Sequence, residues 1–343
     1  MIKLNIATYN IHKGFSRFNR RMVMHELRDR LRELNADIVF LQEVQGENIR
    51  NVQRHKHYPV MPHHEFLAGQ IWPYHAYGKN AVYTNGHHGN AVLSRYPISQ
   101  WENLDISTHR FESRGLLHCE IDLSAADGLE SVDNHATGAN GGNRDAVQGA
   151  RDAVWSFQTR SEQRRNTPDS PVSGGLPPDG VPAALSGLPR ERPLAAPSAL
   201  HSSPSGEQRI SPDNCQQTLT KPALLHCFCV HLGLFKKGRK QQFGAIVARI
   251  KKVVPPDSPL IIAGDFNDWN NNASRLLEQE LQLYEAFEVS QGKPALSYPV
   301  EMPMLRLDRI YVRGLSIHSA QIHAHYPWNK ISDHAALSAT LLV

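Results

Sequence analysis

A buried-strand pattern that ends in two polar side chains is the most chemically suggestive stretch of this sequence. An apolar run stops at Gly264, and Asp265 and Asn267 then follow two positions apart. Residues i and i+2 at a strand end point the same way, so the carboxylate and the amide would be presented together. A carboxylate beside an amide donor can align a water molecule and hold a phosphoryl oxygen. Taken alone, an acid after a glycine is more often an ordinary turn residue.

The same pattern, a polar side chain closing an apolar run, recurs along the chain. Predicted strands at 2–10, 37–43, 224–230 and 305–312 each end in or carry such a group, and another pair precedes the last strand, 335–343. The groups are Asn10, Glu43, His231, Asp265, Asn267, Asp308, Asp333 and His334. This repetition at separate strand ends gives weight to a signal that is modest at any single position.

Acids and an amide in this set suit a hard divalent cation. Mg²⁺ takes oxygen ligands, keeps several waters and usually accepts one or two protein carboxylates. Glu43 is the first candidate ligand, followed by Asn10 and Asp333, although Glu43 alone would equally suit the start of a helix. Adjacent strand residues face opposite ways, so we expect Asp308, and not its neighbour Asp333, to orient His334. With 19 histidines in the chain, composition singles out none of them.

The elements that must position these groups follow from hydrophobic periodicity. Apolar residues at helical spacing predict a helix over 21–34, between the first two strands, which is the scale of a βαβ unit. Further helices are predicted over 238–254, 46–57 and part of 272–287. Further strands are predicted over 90–95, 98–105, 115–123 and 315–322, and residues 58–88 are predicted to form loops with short strands.

Residues 125–220 differ in composition from the rest of the chain. They contain ten of its 22 prolines, two aromatic residues, one isoleucine and no lysine. So little apolar surface cannot offset the entropy cost of ordering, and we predict a disordered Pro/Gly/Ser-rich insertion in a hairpin. Residues 1–124 and 221–343 together would then form one domain. Eight Arg against eleven Asp or Glu give the insertion −3, so the remainder carries +7, which suits an anionic partner.

Composition also narrows the setting in which the protein works. The four cysteines lack CxxC spacing, which argues against a disulfide scaffold or a structural zinc site. The sequence has no apolar run of 18 residues, and its start lacks the features of a signal peptide. We therefore expect a monomeric cytoplasmic protein without a transmembrane segment.

Seven short motifs lie at the predicted strand ends. They are Thr8-Tyr9-Asn10, Leu41-Gln42-Glu43, Gly89-Asn90-Ala91-Val92-Leu93-Ser94-Arg95, Val230-His231-Leu232, Gly264-Asp265-Phe266-Asn267, Leu307-Asp308-Arg309-Ile310 and Ser332-Asp333-His334. Their order resembles that of the endonuclease/exonuclease/phosphatase superfamily, which includes deoxyribonuclease I, apurinic endonucleases, neutral sphingomyelinases and inositol polyphosphate 5-phosphatases. Each motif is weak alone, but seven in order across 1–124 and 221–343 are specific.

The resemblance implies a deoxyribonuclease I-like fold, a four-layered α/β/β/α sandwich of two mainly antiparallel mixed sheets. It also implies Mg²⁺-dependent hydrolysis of phosphate esters, with Mn²⁺ as an alternative ion. By similarity, Glu43 would bind the metal, with Asn10 and Asp333 nearby. The long insertion departs from the family pattern.

The resemblance further implies roles for the remaining polar strand ends. Asp265 would activate or orient the attacking water, and Asn267 would hold that water or the phosphate. His334, paired with Asp308, would stabilise the charged transition state. His231 resembles the second family histidine, which contacts the scissile phosphate or the leaving oxygen.

The substrate stays open, because this fold serves nucleic acids, lipids and inositol phosphates alike. Asn90 and Arg95 are candidate substrate-binding residues, although Arg95 equally suits a solvated arginine at a strand end. Basic segments at 17–21 and 235–240 flank motif-bearing strands. We favour a nuclease-type phosphodiesterase. Alternatives are a sphingomyelinase-like phospholipid phosphodiesterase with peripheral membrane contact, a phosphoinositide phosphatase, or a catalytically silent scaffold, the last disfavoured by competent residues at every matched position.

Overall fold

Two six-stranded sheets carry the polar strand ends. The computed structural model of the chain describes residues 2–109, 112–124, 224–270 and 272–343, all within one compact unit. From edge to edge, the first sheet contains β11 (Ser316–His323), β12 (Ala336–Leu342), β1 (Lys3–Asn10), β2 (Ile38–Asn48), β4 (Gly86–Ser94) and β3 (Tyr74–Tyr83). The second contains β5 (Ile98–Asp105), β6 (Gly115–Asp122), β7 (Leu224–His231), β8 (Leu260–Asp265), β10 (Asp308–Arg313) and β9 (Tyr284–Glu285).

Helices cover the outer face of each sheet. The described helices are α1 (Met24–Glu33), α2 (Ile49–Arg54), α3 (His63–Ala68), α4 (Lys236–Val253), α5 (Asn272–Leu281) and α6 (Ala286–Gln291), with short 3₁₀ turns at His12–Gly14, Arg17–Asn19 and Trp328–Lys330. Buried residues of α1 and α3 pack on the first sheet, and those of α4 and α5 pack on the second.

The core between the sheets explains the strand patterns. Alternate residues of β1, β2, β6, β7 and β8 point inwards and form one cluster that includes Ile6, Phe40, Cys119, Cys227 and Ile261. Because the central strands are covered on both faces, they appear in the sequence as nearly continuous apolar runs. The predicted four-layered α/β/β/α sandwich of two mainly antiparallel mixed sheets is confirmed.

Strand direction determines which ends meet. Among the described strands, β1–β2 and β7–β8 pair in parallel, and the other pairs are antiparallel. The carboxyl ends of β1, β7 and β8 therefore lie at one edge of the sandwich, where Asp308, the first residue of β10, pairs with Asp265. The segment just before β12 joins the same edge through a hydrogen bond from Ser332 Oγ to the carbonyl oxygen of Asn10, 2.7 Å long.

A glycine allows the second parallel pair to come together beside the site. Gly264 has φ of +145°, and a Cβ atom there would lie 2.0 Å from the carbonyl oxygen of Val230 on β7. A larger residue would force β7 and β8 apart immediately before Asp265. The glycine that marks a strand end in the sequence is thus required by the pairing itself.

Several predicted boundaries differ from the structure. Residues 74–83, predicted as loops with short strands, form a long hairpin with 86–94, which extends the strand predicted over 90–95, and α3 begins a separate helix at His63. The helical pattern over 272–287 divides into α5, the short strand β9 and the start of α6, with Gln282 at φ of +56° marking the break. The predicted insertion, 125–220, lies outside the described residues. The strands on either side, β6 and β7, are antiparallel neighbours, with Asp122 opposite Leu224.

Candidate active site

A buried hydrogen bond joins the two sheets at the edge where the polar strand ends meet. Asn10, at the end of β1, donates from Nδ2 to Oδ2 of Asp265, at the end of β8, over 3.2 Å. The two residues are 255 positions apart in the chain and almost completely buried. The backbone N–H of His12 donates to the other end of the Asn10 amide, Oδ1, at 3.1 Å. Asn10 is therefore held at both ends, and it fixes the position of the Asp265 carboxylate.

Asp308 and His334 form the shortest polar contact of the site. Nδ1 of His334 donates to Oδ2 of Asp308 over 2.7 Å, and both side chains are buried. This contact matches the expectation that Asp308, rather than the adjacent Asp333, orients His334. The ring is further positioned by Tyr298, whose centroid lies 4.9 Å away. With Nδ1 engaged, Nε2 is the nitrogen that faces the rest of the site, 3.8 Å from Oδ2 of Asp265.

Asp265 lies at the centre of the group. Its Oδ2 is 3.5 Å from Nε2 of His231 in addition to its contacts with Asn10 and His334. Its Oδ1 accepts the backbone N–H of Asn267 at 3.0 Å. Asn267 has φ of +50°, and its Nδ2 donates to the carbonyl oxygen of Leu232 at 2.9 Å. Asp265 and Asn267 are thus held rigidly next to each other, although the Asn267 amide points towards β7.

The two histidines differ in charge although both touch Asp265. Burial lowers the pKa of His231 to about 4, and the nearby Arg114 charge adds to this effect, so the ring is neutral at pH 7. Burial also opposes the charged form of His334, but the charge and hydrogen bond of Asp308 outweigh it and raise the pKa to about 10. Burial raises the pKa of Asp265 against the attraction of both rings. The site therefore combines a fixed cation with a neutral imidazole.

Glu43 and Asp333 place two further carboxylates at this edge. The Lys13 ammonium lies 2.9 Å from Oε2 of Glu43, and Nδ1 of His12 lies 3.2 Å from Oδ1 of Asp333. Burial opposes ionisation of Glu43, but the His231 ring, which is protonated in the acidic range where Glu43 titrates, and the Lys13 ammonium outweigh it and lower the pKa to about 2. The pKa of Asp333 is also lowered, since its contact with His12 outweighs burial. Both groups are ionised at neutral pH.

The position of Glu43 differs from the prediction. Glu43 does not end a strand, because β2 continues to Asn48. It lies instead at a β-bulge, where the pairing with β4 shifts between Leu41 and Val44 and Glu43 adopts φ of +56°. A bulge turns one side chain away from the regular alternation, and here it directs the carboxylate to the edge shared with Asn10.

The donor atoms at this edge fit a divalent metal ion. Asp265, Asp308 and His334 offer ligand atoms within 4.8 Å of one another, and Oδ1 of Asp308 is buried without a hydrogen bond. A protonated imidazole is a poor metal ligand, however, and His334 is already paired with Asp308. The ionised carboxylates of Glu43 and Asp333, with the Asn10 amide nearby, are the better match to the oxygen preference of Mg²⁺.

Of the two candidate substrate-binding residues, Arg95 does not join this group, whereas Asn90 lies on β4 opposite the bulge that carries Glu43. Arg95 follows β4, which runs antiparallel to β2, so it lies at the opposite end of the sheet, beside Asp37 at 3.2 Å. Nδ2 of Asn90 donates to the carbonyl oxygens of Gly115 and Cys229 at 3.1 and 3.3 Å. Arg95 therefore lies away from the polar strand ends, because the direction of β4 places it at the other end of the sheet. Asn90 lies between the sheets, where its side-chain N–H group donates to these two backbone carbonyl oxygens.

Three basic residues of the site were missed by sequence reasoning. His12 and Lys13 immediately follow Asn10 in a turn of positive φ, and they contact Asp333 and Glu43. Arg114 precedes β6, and its Nε donates to the carbonyl oxygen of Leu232 at 3.1 Å. The spacing of His12 and Lys13 from Asn10 was a usable signal. For Arg114 the sequence offered none, since its approach depends on the pairing of β6 with β7.

Comparison with known proteins agrees with this geometry. The sequence pattern described as "Endonuclease/Exonuclease/phosphatase family" matches residues 7–334, which span every strand-end group of the site. The chain belongs to the endonuclease/exonuclease/phosphatase family. Within curated proteins, it is 34% identical over 336 residues to a protein of Escherichia coli K12 called "Uncharacterized protein YbhP", covering 98% of this chain and 95% of that protein.

Solved structures share the fold at low sequence identity. A family member from Beutenbergia cavernae superposes with a TM-score of 0.60 at 12% identity, covering 100% of this chain and 72% of that one. TDP2 of D. rerio, in complex with a single-strand DNA product, gives a TM-score of 0.55 at 14% identity over 100% of both chains. The protein thus combines the fold of this phosphoesterase family with buried candidate metal ligands. None of its described helices is long and apolar enough to cross a bilayer.

Proposed function

We propose that the protein is a Mg²⁺-dependent phosphodiesterase that acts on nucleic acid by in-line attack of water. The observation that carries the proposal is the buried trio at the sandwich edge, in which Asp265 lies within 3.8 Å of one neutral and one positively charged histidine. Phosphate ester hydrolysis brings an anionic nucleophile to an anionic substrate. Positioned positive groups and an oriented carboxylate are therefore what the reaction needs.

In this mechanism each residue has a defined task. Asp265, held by Asn10 and with its pKa raised by burial, accepts a proton from the attacking water. Asn267 uses one amide hydrogen on Leu232 and offers the other to that water or to the phosphate. His334, charged and locked by Asp308, stabilises the negative charge of the transition state.

His231 and the acidic pair complete the proposed mechanism. The neutral His231 ring forms a hydrogen bond with a phosphate oxygen on the side of the leaving group. Glu43 would hold Mg²⁺, with Asp333 and Asn10 nearby. When bound, the ion polarises the phosphoryl oxygen and offsets developing charge.

A nucleic-acid substrate is favoured by charge and by one structural relative. The described strands and their flanks belong to the part of the chain with a formal charge of +7. Basic residues at the site edge include Lys13 and Arg114, and Lys236 and Lys237 begin α4 next to the loop that follows His231. TDP2, which shares the fold, was solved with a single-strand DNA product. A negatively charged backbone would be attracted to such an edge.

A phospholipid phosphodiesterase is the second candidate, favoured by exposed apolar side chains beside basic ones. Phe18 is 66% exposed, with the guanidinium groups of Arg17 and Arg20 over its ring. Phe235 is 68% exposed and directly precedes the lysines of α4. Both phenylalanines lie in segments next to motif-bearing strands. An exposed aromatic ring beside basic side chains can insert into the interfacial region of a membrane.

A substrate panel tests the proposal. The full-length protein with Mg²⁺ or Mn²⁺ should hydrolyse bis-(p-nitrophenyl) phosphate and single-stranded DNA, and EDTA should stop both reactions. Asp265→Asn and His334→Ala should each lower the rate by about 10²–10³. Faster turnover of sphingomyelin or phosphatidylinositol phosphates than of DNA or RNA would select the lipid candidate. Absence of turnover by the wild type on every substrate would instead support a scaffold protein, and undiminished turnover in both variants would refute the assigned residues.

A further inference from the structure

A second group of potential metal ligands lies on the outer face of the second sheet, away from the strand-end site. His118 and Glu120 are two residues apart on β6 and share one face, and His226 of β7 pairs with Glu120 across the strands. We call His118, Glu120 and His226 the outer-face cluster. His226 precedes His231 by five residues on the same strand, a separation of about 16 Å at ~3.3 Å per residue. The two sites are therefore distinct.

The ligand atoms of the three side chains in the outer-face cluster lie close together. Nε2 of His118 lies 3.1 Å from Nδ1 of His226, and that nitrogen lies 3.9 Å from Oε1 of Glu120. One ligand atom from each residue falls within 4.8 Å of the other two. Both histidines are buried, and the His118 ring stacks flat on Phe228 with centroids 4.1 Å apart. The two imidazole rings lie 24° from parallel with centroids 5.4 Å apart, so packing holds their facing nitrogens close together.

Both imidazoles are neutral at physiological pH. One ring donates an N–H in the hydrogen bond between them, so that ring must carry its proton on its other nitrogen for both facing nitrogens to bind a metal. Burial lowers the pKa of His118 to about 4, with a contribution from His226, and burial also lowers the pKa of His226. Glu102 of β5 approaches Nδ1 of His118 at 3.6 Å. A carboxylate on one ring nitrogen leaves the lone pair on the other, which is the usual arrangement around metal-bound histidine.

The charges around the cluster favour an added cation. Glu102 lies on β5 opposite His118, and burial followed by the Glu102 charge raises the pKa of Glu120. Arg249 of α4 pairs with Glu102 at 2.7 Å, and Arg313 of β10 lies close enough to His226 to act on its charge. The Arg249 guanidinium is thus paired with Glu102. The Arg313 guanidinium donates to backbone carbonyl oxygens, including that of Pro255. The neutral His226 ring lies 3.9 Å from the Glu120 carboxylate.

The distances match a four-coordinate metal. Zn–N bonds of about 2.0–2.1 Å at the tetrahedral angle put two nitrogen ligands about 3.3 Å apart, close to the 3.1 Å observed between the rings. Glu120 must approach His226 by roughly half an ångström, and its side chain is only partly buried, which leaves the carboxylate room to rotate towards the rings.

We propose that His118, Glu120 and His226 bind one divalent transition-metal ion, with Zn²⁺ the best fit, and that Glu102 orients His118. Two imidazoles and one carboxylate are ligands typical of Zn²⁺, whereas Mg²⁺ and Ca²⁺ prefer oxygen throughout. The ion links β6 to β7 and leaves its fourth position to water. Because it binds the folded chain, it stabilises the fold by mass action.

Zinc titration of the full-length protein in excess Mg²⁺ tests this site. We expect one tightly bound Zn²⁺ in the wild type, and a rise in Tm on adding it. His226→Gln should abolish both effects, and Glu120→Gln should weaken binding by at least ten-fold. Co²⁺ should give the visible absorption of a tetrahedral site in the wild type, and His226→Gln should lose it.

Matched variants separate this site from the others. His318→Gln changes an exposed histidine on β11, and His334→Ala changes the strand-end site; both should bind Zn²⁺ like the wild type. Circular dichroism verifies that each variant is folded, and the partly exposed Glu120 provides a variant that keeps the buried rings. Equal Zn²⁺ affinity in wild type and Glu120→Gln and His226→Gln would overturn the proposal, as would the absence of a Zn²⁺ site in the wild type.

Discussion

Replacing Asp308 by asparagine tests the electrostatic core of the proposed mechanism. The substitution keeps the shape of the side chain but removes the charge that lies 2.7 Å from Nδ1 of His334. Without that charge, burial dominates, and we expect the pKa of His334 to fall towards that of its neutral neighbour His231. At pH 7 the variant would face the substrate with a neutral ring.

The size of the effect follows from the two charge states. The pKa of His334 is raised from 6.5 to about 10, and one pKa unit is about 1.4 kcal/mol, so the surroundings favour the imidazolium by roughly 5 kcal/mol. Only the part of this stabilisation that acts on the transition state appears in the rate. Loss of one such donor typically costs about 10²–10³ in kcat, or roughly 3–4 kcal/mol.

The assay is Mg²⁺-dependent hydrolysis of bis-(p-nitrophenyl) phosphate from pH 5 to 9. In the wild type, His334 stays protonated throughout this range. In Asp308→Asn, kcat at pH 7 should fall by about 10²–10³, and part of it should return as the pH is lowered and the ring regains its proton. Asp257→Asn, which removes a negative charge from an exposed loop, is the matched control and should keep the wild-type rate. A kcat for Asp308→Asn within a few-fold of wild type, with an unchanged pH profile, would refute the reasoning.

Three further outcomes are expected. Glu43→Gln should raise the Mg²⁺ concentration needed for half-maximal activity by at least ten-fold, because an ionised ligand is lost; an unchanged Mg²⁺ dependence would exclude Glu43 as a ligand. Arg95→Ala should leave kcat/KM unchanged and lower the free energy of unfolding by at most about 1 kcal/mol, since its pair with Asp37 is partly exposed and far from the site; a large activity loss would contradict this. His63 is buried, which lowers its pKa to about 3, so the stability from its neutral ring is complete above pH 6.5 and is lost as the pH falls towards 3. Urea unfolding from pH 7 to 4 should show the wild type losing roughly 1.4 kcal/mol per pH unit relative to His63→Gln, with exposed His318→Gln as the reference; parallel curves for wild type and His63→Gln would rule this out.

The sequence predicted the central part of the site because those residues follow from local pattern. An apolar run that ends in a polar group marks a strand end, and the ends of β1, β7 and β8 meet because two strand pairs are parallel. Asn10, His231 and Asp265 were found in this way. Strand alternation argued against Asp333 as the partner of His334, and the structure shows the contact with Asp308, although Asp333 and His334 lie before β12 and not within it.

The errors arise where geometry depends on distant parts of the chain. Glu43 lies at a bulge that exists only because β4 pairs with β2. Arg95 also follows a strand end, but the sequence of a strand does not show whether it runs parallel or antiparallel to its neighbours in the sheet. The outer-face cluster could not be found from spacing, because His118 and His226 are 108 residues apart. Their contact depends on the pairing of β6 with β7 across the long intervening segment.

A metal ion bound at Glu43 and in contact with the phosphate, beside the two histidines, is central to the proposed mechanism. Anomalous diffraction from a crystal soaked with Mn²⁺ and inorganic phosphate tests this directly. We expect a Mn²⁺ peak within bonding distance of Glu43, and a phosphate oxygen within hydrogen-bond distance of Nε2 of His334. A peak bound instead between Asp265 and Asp308, with His334 displaced, or the absence of any peak at this edge, would contradict the account.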